Sequence, residues 1–577
     1  MQLFLCPTNF KIIQRKEFMK KPLIIFQNFS FQYYNQNKNT LKKLNITIYE
    51  GEKVLIVGKS GSGKSTFLKC INGLIPHSYP GKITGSAIIQ NKNLAKTNIF
   101  DLSLNIGTIM QDADNQFVGL TVAEDIAFAL ENDNLSHQKI VQKVNQWADK
   151  LNLQPFLHHQ IQDLSEGEKK LVAMAGVLIY NPSILLFDES LTNLDATGRK
   201  KIIDLIEKLH QKNKNTILMI EHYLDDILTD SFDRVIVFDD GKIIADMTAE
   251  QIIEKQILIQ QGIQEPFYIK ILRNSKIDLT KINFLCNLNK INIASFSEEL
   301  INSSKTKLNI PLSFLDNKKK LLELKNIFYQ STEKKDNLLN DISLTLWTGQ
   351  MISIVGPNGC GKSLLGKMIA GLLKPHKGQV SLKDKKIAIG FVSQNPDHML
   401  FQNTVFEEIA LGLRLQKLSS KEIDQQVKTI LDICGLTPFA FFPITTLSFG
   451  QKKRVAIAAI LVLKPEIIIL DEPTAGQDFY HYTKIMAYLK KLSKEGATVI
   501  IITHDISLIL EYTQTTLVLN KGKMIVSINP ISLLTDNLLI KKSNLKDHAF
   551  LFFLNKLQMQ PQTKTNFMKY IKEHCFK

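Results

Sequence analysis

Apolar and polar positions along the chain fall into two matching sets. In the first half an apolar, strand-like run over Lys53–Val57 leads into a glycine-rich loop and then into helical spacing, and Met351–Val355 opens the same order in the second half. Two more apolar runs follow in each half. The run from Ile184 ends in Asp188 and Glu189, and the run from Thr216 ends in His222; in the second half the run from Ile467 ends in Asp471 and Glu472, and that from Thr498 in His504. Each such run reads as a fully apolar strand.

The halves form a long internal repeat. Gly58 and Gly356 lie 298 positions apart, whereas Gln111 and Gln394, Ser165 and Ser448, and Asp188 and Asp471 are each 283 apart, and His222 and His504 are 282 apart. The drop falls between the glycine loop and the glutamine. It predicts a shorter β-rich segment in the second copy, where a surface loop can be trimmed at small cost.

The repeat divides the chain into a first domain over 19–255 and a second over 320–544. Residues 256–319 are rich in Asn, Lys, Ser and Ile without steady periodicity and read as a linker with some helix. The tail, 545–577, alternates apolar and basic residues, which predicts a short amphipathic helix over His548–Leu557 packed on its own domain. Residues 1–18 precede a second methionine, Met19, and read as a dispensable extension or a misassigned start.

Composition narrows the class. Apolar residues make up 44% and charged residues 22% of 577, proportions that exclude a mostly disordered chain and supply several cores. The net charge of +16 fits nucleic acid, an anionic membrane surface, or a lysine-rich composition with no partner behind it. Its tightest run, Lys318–Lys320, reads as solvated linker. The six cysteines include no CxxC pair, which fits a reducing compartment. No run reaches the roughly 18 apolar residues a membrane helix needs; the closest, Val455–Leu470, is broken by Lys464, Pro465 and Glu466. The Leu3–Cys6 run is too short for a signal-peptide core, so export is not expected.

The loops that follow the first strands carry the chemistry. They read Gly58, Lys59, Ser60, Gly61, Ser62, Gly63, Lys64, Ser65, Thr66 and Gly356, Pro357, Asn358, Gly359, Cys360, Gly361, Lys362, Ser363, Leu364. Glycines at this spacing let backbone N–H groups curl around phosphates, and the following helix N-terminus adds positive potential. Lys64 and Lys362 are then expected at the β and γ phosphates, with Ser65 and Ser363 on Mg²⁺. A chance glycine turn would not recur in matching context. Charges at the end of a buried strand are costly unless used. Asp188 and Asp471 suit the Mg²⁺ shell, and Glu189 and Glu472 suit polarising an attacking water; the bland alternative is a structural ion pair. A lone histidine after a strand is ordinarily a surface residue, but its recurrence makes His222 and His504 candidate γ-phosphate sensors.

Ahead of the acidic strands stand Leu164-Ser165-Glu166-Gly167-Glu168 and Leu447-Ser448-Phe449-Gly450-Gln451. With this signature the chain resembles the ATP-binding cassette family over most of its length. The resemblance implies an α/β fold of two tandem P-loop NTPase domains, each with a mostly parallel core sheet, an antiparallel β subdomain and a helical subdomain. It also implies ATP hydrolysis with Mg²⁺, and a head-to-tail pair of cassettes within the chain. Each ATP would then lie between one copy's glycine loop and the other's signature: Ser448, Gly450 and Gln451 for the first site, Ser165 and Gly167 for the second. The family's Q-loop glutamines correspond to Gln111 and Gln394, which join the Mg²⁺ candidates. The residues that follow them resemble the energy-coupling factor importers of vitamins and transition metals. That resemblance implies a transmembrane coupling subunit, a substrate-binding subunit, a peripheral place on the cytoplasmic face of the membrane, and no nucleic acid.

Three departures from the family pattern fall on the second site. Glu166 and Glu168 replace glycine and glutamine in the signature that serves it, and at about 4 Å one added negative charge costs on the order of 1 kcal/mol in water and about 4 at an intermediate dielectric. Leu364 stands where the first copy has Thr66. Tyr33 fits the place of an adenine-stacking ring in the first copy, whereas the second has Ser331, with Tyr329 nearby. The second site is therefore expected to bind or turn over ATP less well. Two other classes remain open at this stage: a soluble tandem cassette acting on ribosomes or nucleic acid, and a fused sugar-importer ATPase. The retained Lys362 and the sequences Asn193-Leu-Asp195 and Gly476-Gln-Asp478 speak against both.

Overall fold

A computed structural model describes residues 21–133, 135–192, 194–228, 232–293, 296–303, 318–330, 337–384, 386–546 and 548–576. The apolar runs form the centres of two six-stranded sheets. In the first, Ile106–Ile109, Ile184–Asp188, Thr216–Ile220, Lys53–Gly58 and Arg234–Asp239 lie parallel in that order, and Lys242–Met247 closes the edge as an antiparallel hairpin. In the second, Ile389–Val392, Ile467–Asp471, Thr498–Ile502, Met351–Val355 and Thr515–Asn520 repeat the order, with Lys523–Ile528 antiparallel at the edge. Every residue of Lys53–Gly58 and of Met351–Val355 is buried. Both faces of a parallel sheet are covered, so its central strands carry no polar alternation.

An antiparallel layer sits beside each core sheet. The first orders Leu41–Tyr49, Pro22–Tyr33, Gly81–Ile89 and Lys92–Asn93; the second has Asn337–Trp347, Lys320–Gln330 and Lys377–Leu382. The first copy also carries the short helices Leu74–His77 and Ile99–Ser103 in this region, which is where the offset between the copies changes. A helical arm follows in each: Val122–Glu131, His137–Leu151 and Glu166–Leu178, then Val405–Leu415, Ser420–Ile433 and Phe449–Leu461. Capping boxes start the outer helices of each arm, on Thr121 with Glu124 and Ser165 with Glu168, and on Thr404 with Glu407 and Ser448 with Gln451.

The segment expected to be a linker is more than a tether. Phe267–Asn274 is a helix with Phe267, Tyr268, Ile271 and Leu272 buried, and the core it enters also holds the C-terminal helices Ala549–Lys556 and Pro561–His574. Phe267 packs on Phe550 at 4.8 Å and on Phe576 at 5.4 Å, and Tyr268 on Phe553 at 5.6 Å. The tail therefore does not rest on its own cassette alone. It meets Pro530–Thr535 on one side and the middle segment on the other. Short helices separated by turns give no sustained period, and their apolar residues are buried only by partners far away in sequence, so the pattern was invisible to local periodicity. The described cysteines are free and buried, and no helix among the described residues is long and apolar enough to cross a membrane.

Candidate functional site

Each core sheet delivers its glycine loop to the carboxyl ends of the parallel strands, the usual crevice for ligands in such sheets. Gly63 and Gly361 precede the helices Lys64–Ile71 and Lys362–Ile369 with φ of 101° and 100°, a left-handed conformation that a side chain would strain. Lys64 Nζ donates to the Gly58 and Lys59 carbonyls at 2.8 Å each, and Lys362 Nζ to those of Gly356 and Pro357 at 2.8 and 3.0 Å. Burial pushes the Lys64 ammonium down from its ordinary pKa, against the pull of Glu189, Asp188 and Asp478. Ser62 Oγ is buried without a partner. A lysine curled over its own loop, an unpartnered hydroxyl and a helix N-terminus together make a cradle suited to phosphate.

The acidic strands close the cradle from the side. Ser65 Oγ donates to Asp188 Oδ1 at 3.0 Å, and burial, with Glu189 adding, raises the Asp188 carboxyl to about 6. Asp471 is raised by burial too, against a hydrogen bond from Ser363. A serine hydroxyl facing a carboxylate is an oxygen donor pair that fits a hard divalent cation. The next residues, Glu189 and Glu472, have φ of 50° and 46°. Such values are uncommon outside glycine and asparagine and mark a functional turn.

Around these glutamates the copies diverge. Glu189 Oε1 lies 2.9 Å from His222 Nε2, and Gln111 Nε2 donates to Glu189 Oε2 at 2.7 Å. Burial alone would raise the Glu189 carboxyl, but His222, Lys64 and Lys170 outweigh it and hold it below the usual range. Glu472 Oε1 is 3.4 Å from His504 Nε2, and burial raises its carboxyl to about 8. Burial, with Lys362 and Arg199 adding, holds His504 well below its ordinary pKa. Gln394 makes no hydrogen bond to Glu472 among the described residues; it lines a cavity with Ser363 and Asp471 instead.

The signatures sit at helix starts. Ser448 N donates to Gln451 Oε1 at 2.8 Å, and Ser448 Oγ accepts from Gln451 N at 3.3 Å. In the first copy Glu168 Oε2 takes both Ser165 N at 2.8 Å and the Ser165 hydroxyl at 2.7 Å. The charged residue thus takes the hydroxyl's hydrogen, which Gln451 does not. Gly450 is packed so tightly on its own cassette that an added Cβ would fall 1.9 Å from the Gly476 carbonyl oxygen, whereas at Gly167 the nearest atom, on Leu194, is 3.5 Å away. Tyr33 lies beside the first loop, its hydroxyl 3.2 Å from Thr66 Oγ1. Ser331 lies outside the described residues. Tyr329 pairs edge-on with His376 at 5.0 Å.

Elements of the two cassettes meet across the molecule. A cavity of about 250 Å³ is lined by Ser165 and Glu166 of the first copy and by Asn358, Gly359, Gly361, Lys362, Ser363, Leu364, Asp471 and Glu472 of the second. Ser60 N in the first glycine loop donates to Asp478 Oδ2 at 3.1 Å, and Asn358 N in the second reaches Asp195 Oδ2 at 3.5 Å. Burial would raise the Asp478 carboxyl, yet His481, bonded at 2.7 Å, and Arg454 hold it far below the usual range.

Sequence reading gave these aspartates no role at the site, and it passed over two buried lysines of the signature helices. Lys453 Nζ donates to the Asp471, Ser393 and Gln394 carbonyls at 2.7, 2.7 and 2.9 Å, and Lys170 Nζ to those of Ser190, at 2.8 Å, and Thr192. Their neighbours Lys169 and Lys452 pair with Asp114 at 2.8 Å and Asp397 at 2.6 Å, which ties each signature helix to the segment after its glutamine. All eight positions recur at the common offset of 283, the signal that could have found them.

Comparison with known proteins agrees with this geometry. Residues 41–192 and 339–475 match the family model described as ABC transporter, and 255–329 match one described as ATP-binding cassette cobalt transporter. A relative in onion yellows phytoplasma (strain OY-M), provisionally named an ABC transporter ATP-binding protein, is 55% identical over 584 residues, covering 96% of this chain and 99% of its own. One in Enterococcus faecalis with the same provisional name is 47% identical over 554 residues, covering 94% and 97%. Among solved structures, archaeal ribosome recycling factor aABCE1, in complex with the ribosomal stalk protein aP1, has a TM-score of 0.57 over 88% of this chain and 91% of that one. At 20% identity the likeness is one of fold alone. The chain therefore belongs to the ABC transporter family, as the ATP-binding subunit of a transporter and an ATPase.

Proposed function

We propose that this ATPase energises an importer of the energy-coupling factor type, which takes up a vitamin or a transition metal. The observation that carries the reading is the match of 255–329 to the cobalt-transporter cassette model, which covers the middle segment between the two ABC transporter matches. The exposed apolar side chains of Leu120, Phe401 and Phe441 on the helical arms support a protein partner there. On this reading the chain sits peripherally on the cytoplasmic face of the membrane, bound to a transmembrane coupling subunit and a substrate-binding subunit.

Two composite sites follow from the contacts between cassettes. The first joins Lys64, Ser65, Gln111, Asp188, Glu189 and His222 to Ser448 and Gly450; the second joins Lys362, Ser363, Gln394, Asp471, Glu472 and His504 to Ser165 and Gly167. The bonds Ser60–Asp478 and Asn358–Asp195 support this head-to-tail arrangement. In each site the lysine binds the β and γ phosphates while loop N–H groups hold their oxygens. Ser65 with Asp188, and Ser363 with Asp471, would hold Mg²⁺, which supplies charge neutralisation when bound. Glu189 or Glu472 orients a water and takes its proton as the oxygen attacks the γ phosphorus and the bond to ADP breaks. His222 or His504 holds the glutamate and the departing phosphate. Closure on ATP and parting after hydrolysis would move the arms.

The second site is the weaker of the two on this reading, because Glu166 faces its cavity and Glu168 ties up the Ser165 hydroxyl. The test is ATP-driven uptake in proteoliposomes holding the chain with its co-purified membrane subunits, using radiolabelled cobalt and a panel of vitamins. ATP-dependent accumulation of one of them, lost in Glu189→Gln with Glu472→Gln, is expected, and the two single variants should lose unequal fractions of ATPase activity. No accumulation of any would refute the importer, and equal losses would refute the asymmetry.

A further inference from the structure

His222 and His504 both line a second cavity, of about 100 Å³, to which both cassettes contribute. Arg199 enters it from the helix that follows Asp195 in the first cassette; Gln477, His504 and Glu472 enter from the second. Arg199 is held rigidly. Its Nε pairs with Asp226 Oδ2 at 2.9 Å, its Nη1 donates to the Leu194 carbonyl at 2.8 Å, and its guanidinium lies 4.8 Å from the Tyr223 ring centroid. The remaining nitrogen, Nη2, is buried and has no partner. The same is true of Gln477 Oε1 and His504 Nδ1.

The three residues that carry these unpartnered atoms line one cavity, and such atoms are costly unless something satisfies them. The cavity has room for water, which needs only on the order of 10–15 Å³. The cation on its wall, Arg199, is already paired with Asp226, so the cavity offers an anion no free charge. A water that accepts from Arg199 Nη2 has two hydrogens left, one for Gln477 Oε1 and one for His504 Nδ1. With Nδ1 accepting, the imidazole proton belongs on Nε2, the nitrogen that faces Glu472 at 3.4 Å.

We propose that Arg199 is a positioning residue for hydrolysis at the site built on Lys362: from the opposite cassette, through water shared with Gln477, it sets the tautomer and orientation of His504. The proposal rests on the reading of Glu472 and His504 as the hydrolytic pair of that site. It also gives the copies different wiring, since the repeat offset places Tyr482 where an equivalent arginine would serve the other site. Turnover at the second site then depends on a residue of the first cassette that touches no nucleotide.

The test uses the full chain purified with its membrane subunits. Arg199→Lys keeps the charge and the pairing with Asp226 but lacks the planar fork that reaches a second direction. Measured in the Glu189→Gln chain, where the second site alone turns over, it should lower kcat about tenfold, the equivalent of one charge-assisted hydrogen bond, and leave KM for ATP unchanged. Gln477→Leu should act alike, and the double variant should be no slower than the slower single. In that Glu189→Gln background, a kcat unchanged by Arg199→Lys, losses that multiply in the double variant, or a loss seen in KM instead of kcat would each overturn the proposal. Full turnover in Glu472→Gln would instead overturn the hydrolytic reading beneath it.

Discussion

Replacing Glu166 by glutamine should tighten ATP at the site built on Lys362. Glu166 occupies the first turn of its helix, lines the cavity of about 250 Å³ with Lys362 and Asp471, and makes no hydrogen bond among the described residues. Losing its charge costs the chain the attraction to a helix N-terminus, about 0.3–1 kcal/mol, and some of the attraction to the buried Lys170 ammonium. The gain is larger where a phosphate arrives. Across a cavity on the order of 8 Å, two like charges repel by about 0.5 kcal/mol at the dielectric of water and about 2 kcal/mol at an intermediate one. That range corresponds to about 2- to 30-fold in Kd. The assay is an equilibrium ATP titration of the Glu189→Gln, Glu472→Gln chain, in which nucleotide is not consumed. The weaker class of sites should tighten with Glu166→Gln, the tighter class should not move, and the gap should narrow as salt rises. A weaker class that stays put, or two classes that shift alike, would refute the electrostatic reasoning. Glu168→Gln acts by a second route: its carboxylate holds the Ser165 N–H and hydroxyl, so its loss should cost about 1 kcal/mol of stability and, by freeing the hydroxyl, also tighten the weaker class.

Other consequences can be checked separately. Phe550→Ala removes a fully buried ring packed on Phe267 and should cost about 3–5 kcal/mol in the unit formed by the middle segment and tail, read as a lower thermal transition. Asp478→Ala removes both a helix cap and the acceptor for Ser60 N, and should lower kcat about 3- to 10-fold in an ATPase assay. His548 is held down to about 4 by burial, with Arg199 adding and Asp226 opposing, while an unfolded histidine titrates near 6.5. The unfolded chain then binds the extra proton between these values, so this contribution is whole above about pH 6.5 and is lost as pH falls towards 4, to a total of about 3 kcal/mol. Denaturation curves across that range should be steeper in pH for the unmodified chain than for His548→Gln.

Much of the site was legible because its parts are short and repeat. A buried strand followed by a glycine loop, or ended by two acids, has one local cause, and finding each twice in the same order removed chance. Gly63, Lys64, Asp188 and Glu189, with their counterparts, stand together in the structure as that pattern implied. What sequence could not give was anything set between the copies. Asp195 and Asp478 are ordinary helix caps until the opposite glycine loop is placed against them. Arg199 looks like one more charge on an amphipathic helix, and only the fold buries it. The middle segment was missed for a related reason. Phe267 and Tyr268 find their partners at Phe550 and Phe553, and no local period announces a core assembled over such a separation.

The most direct test of the central claim is to purify the full chain gently from membranes, identify what accompanies it, and measure whether the isolated assembly hydrolyses ATP. The account predicts a small set of integral-membrane subunits and an ATPase activity that falls in Glu189→Gln and Glu472→Gln. Ribosomal proteins in their place, or hydrolysis indifferent to both glutamates, would contradict it.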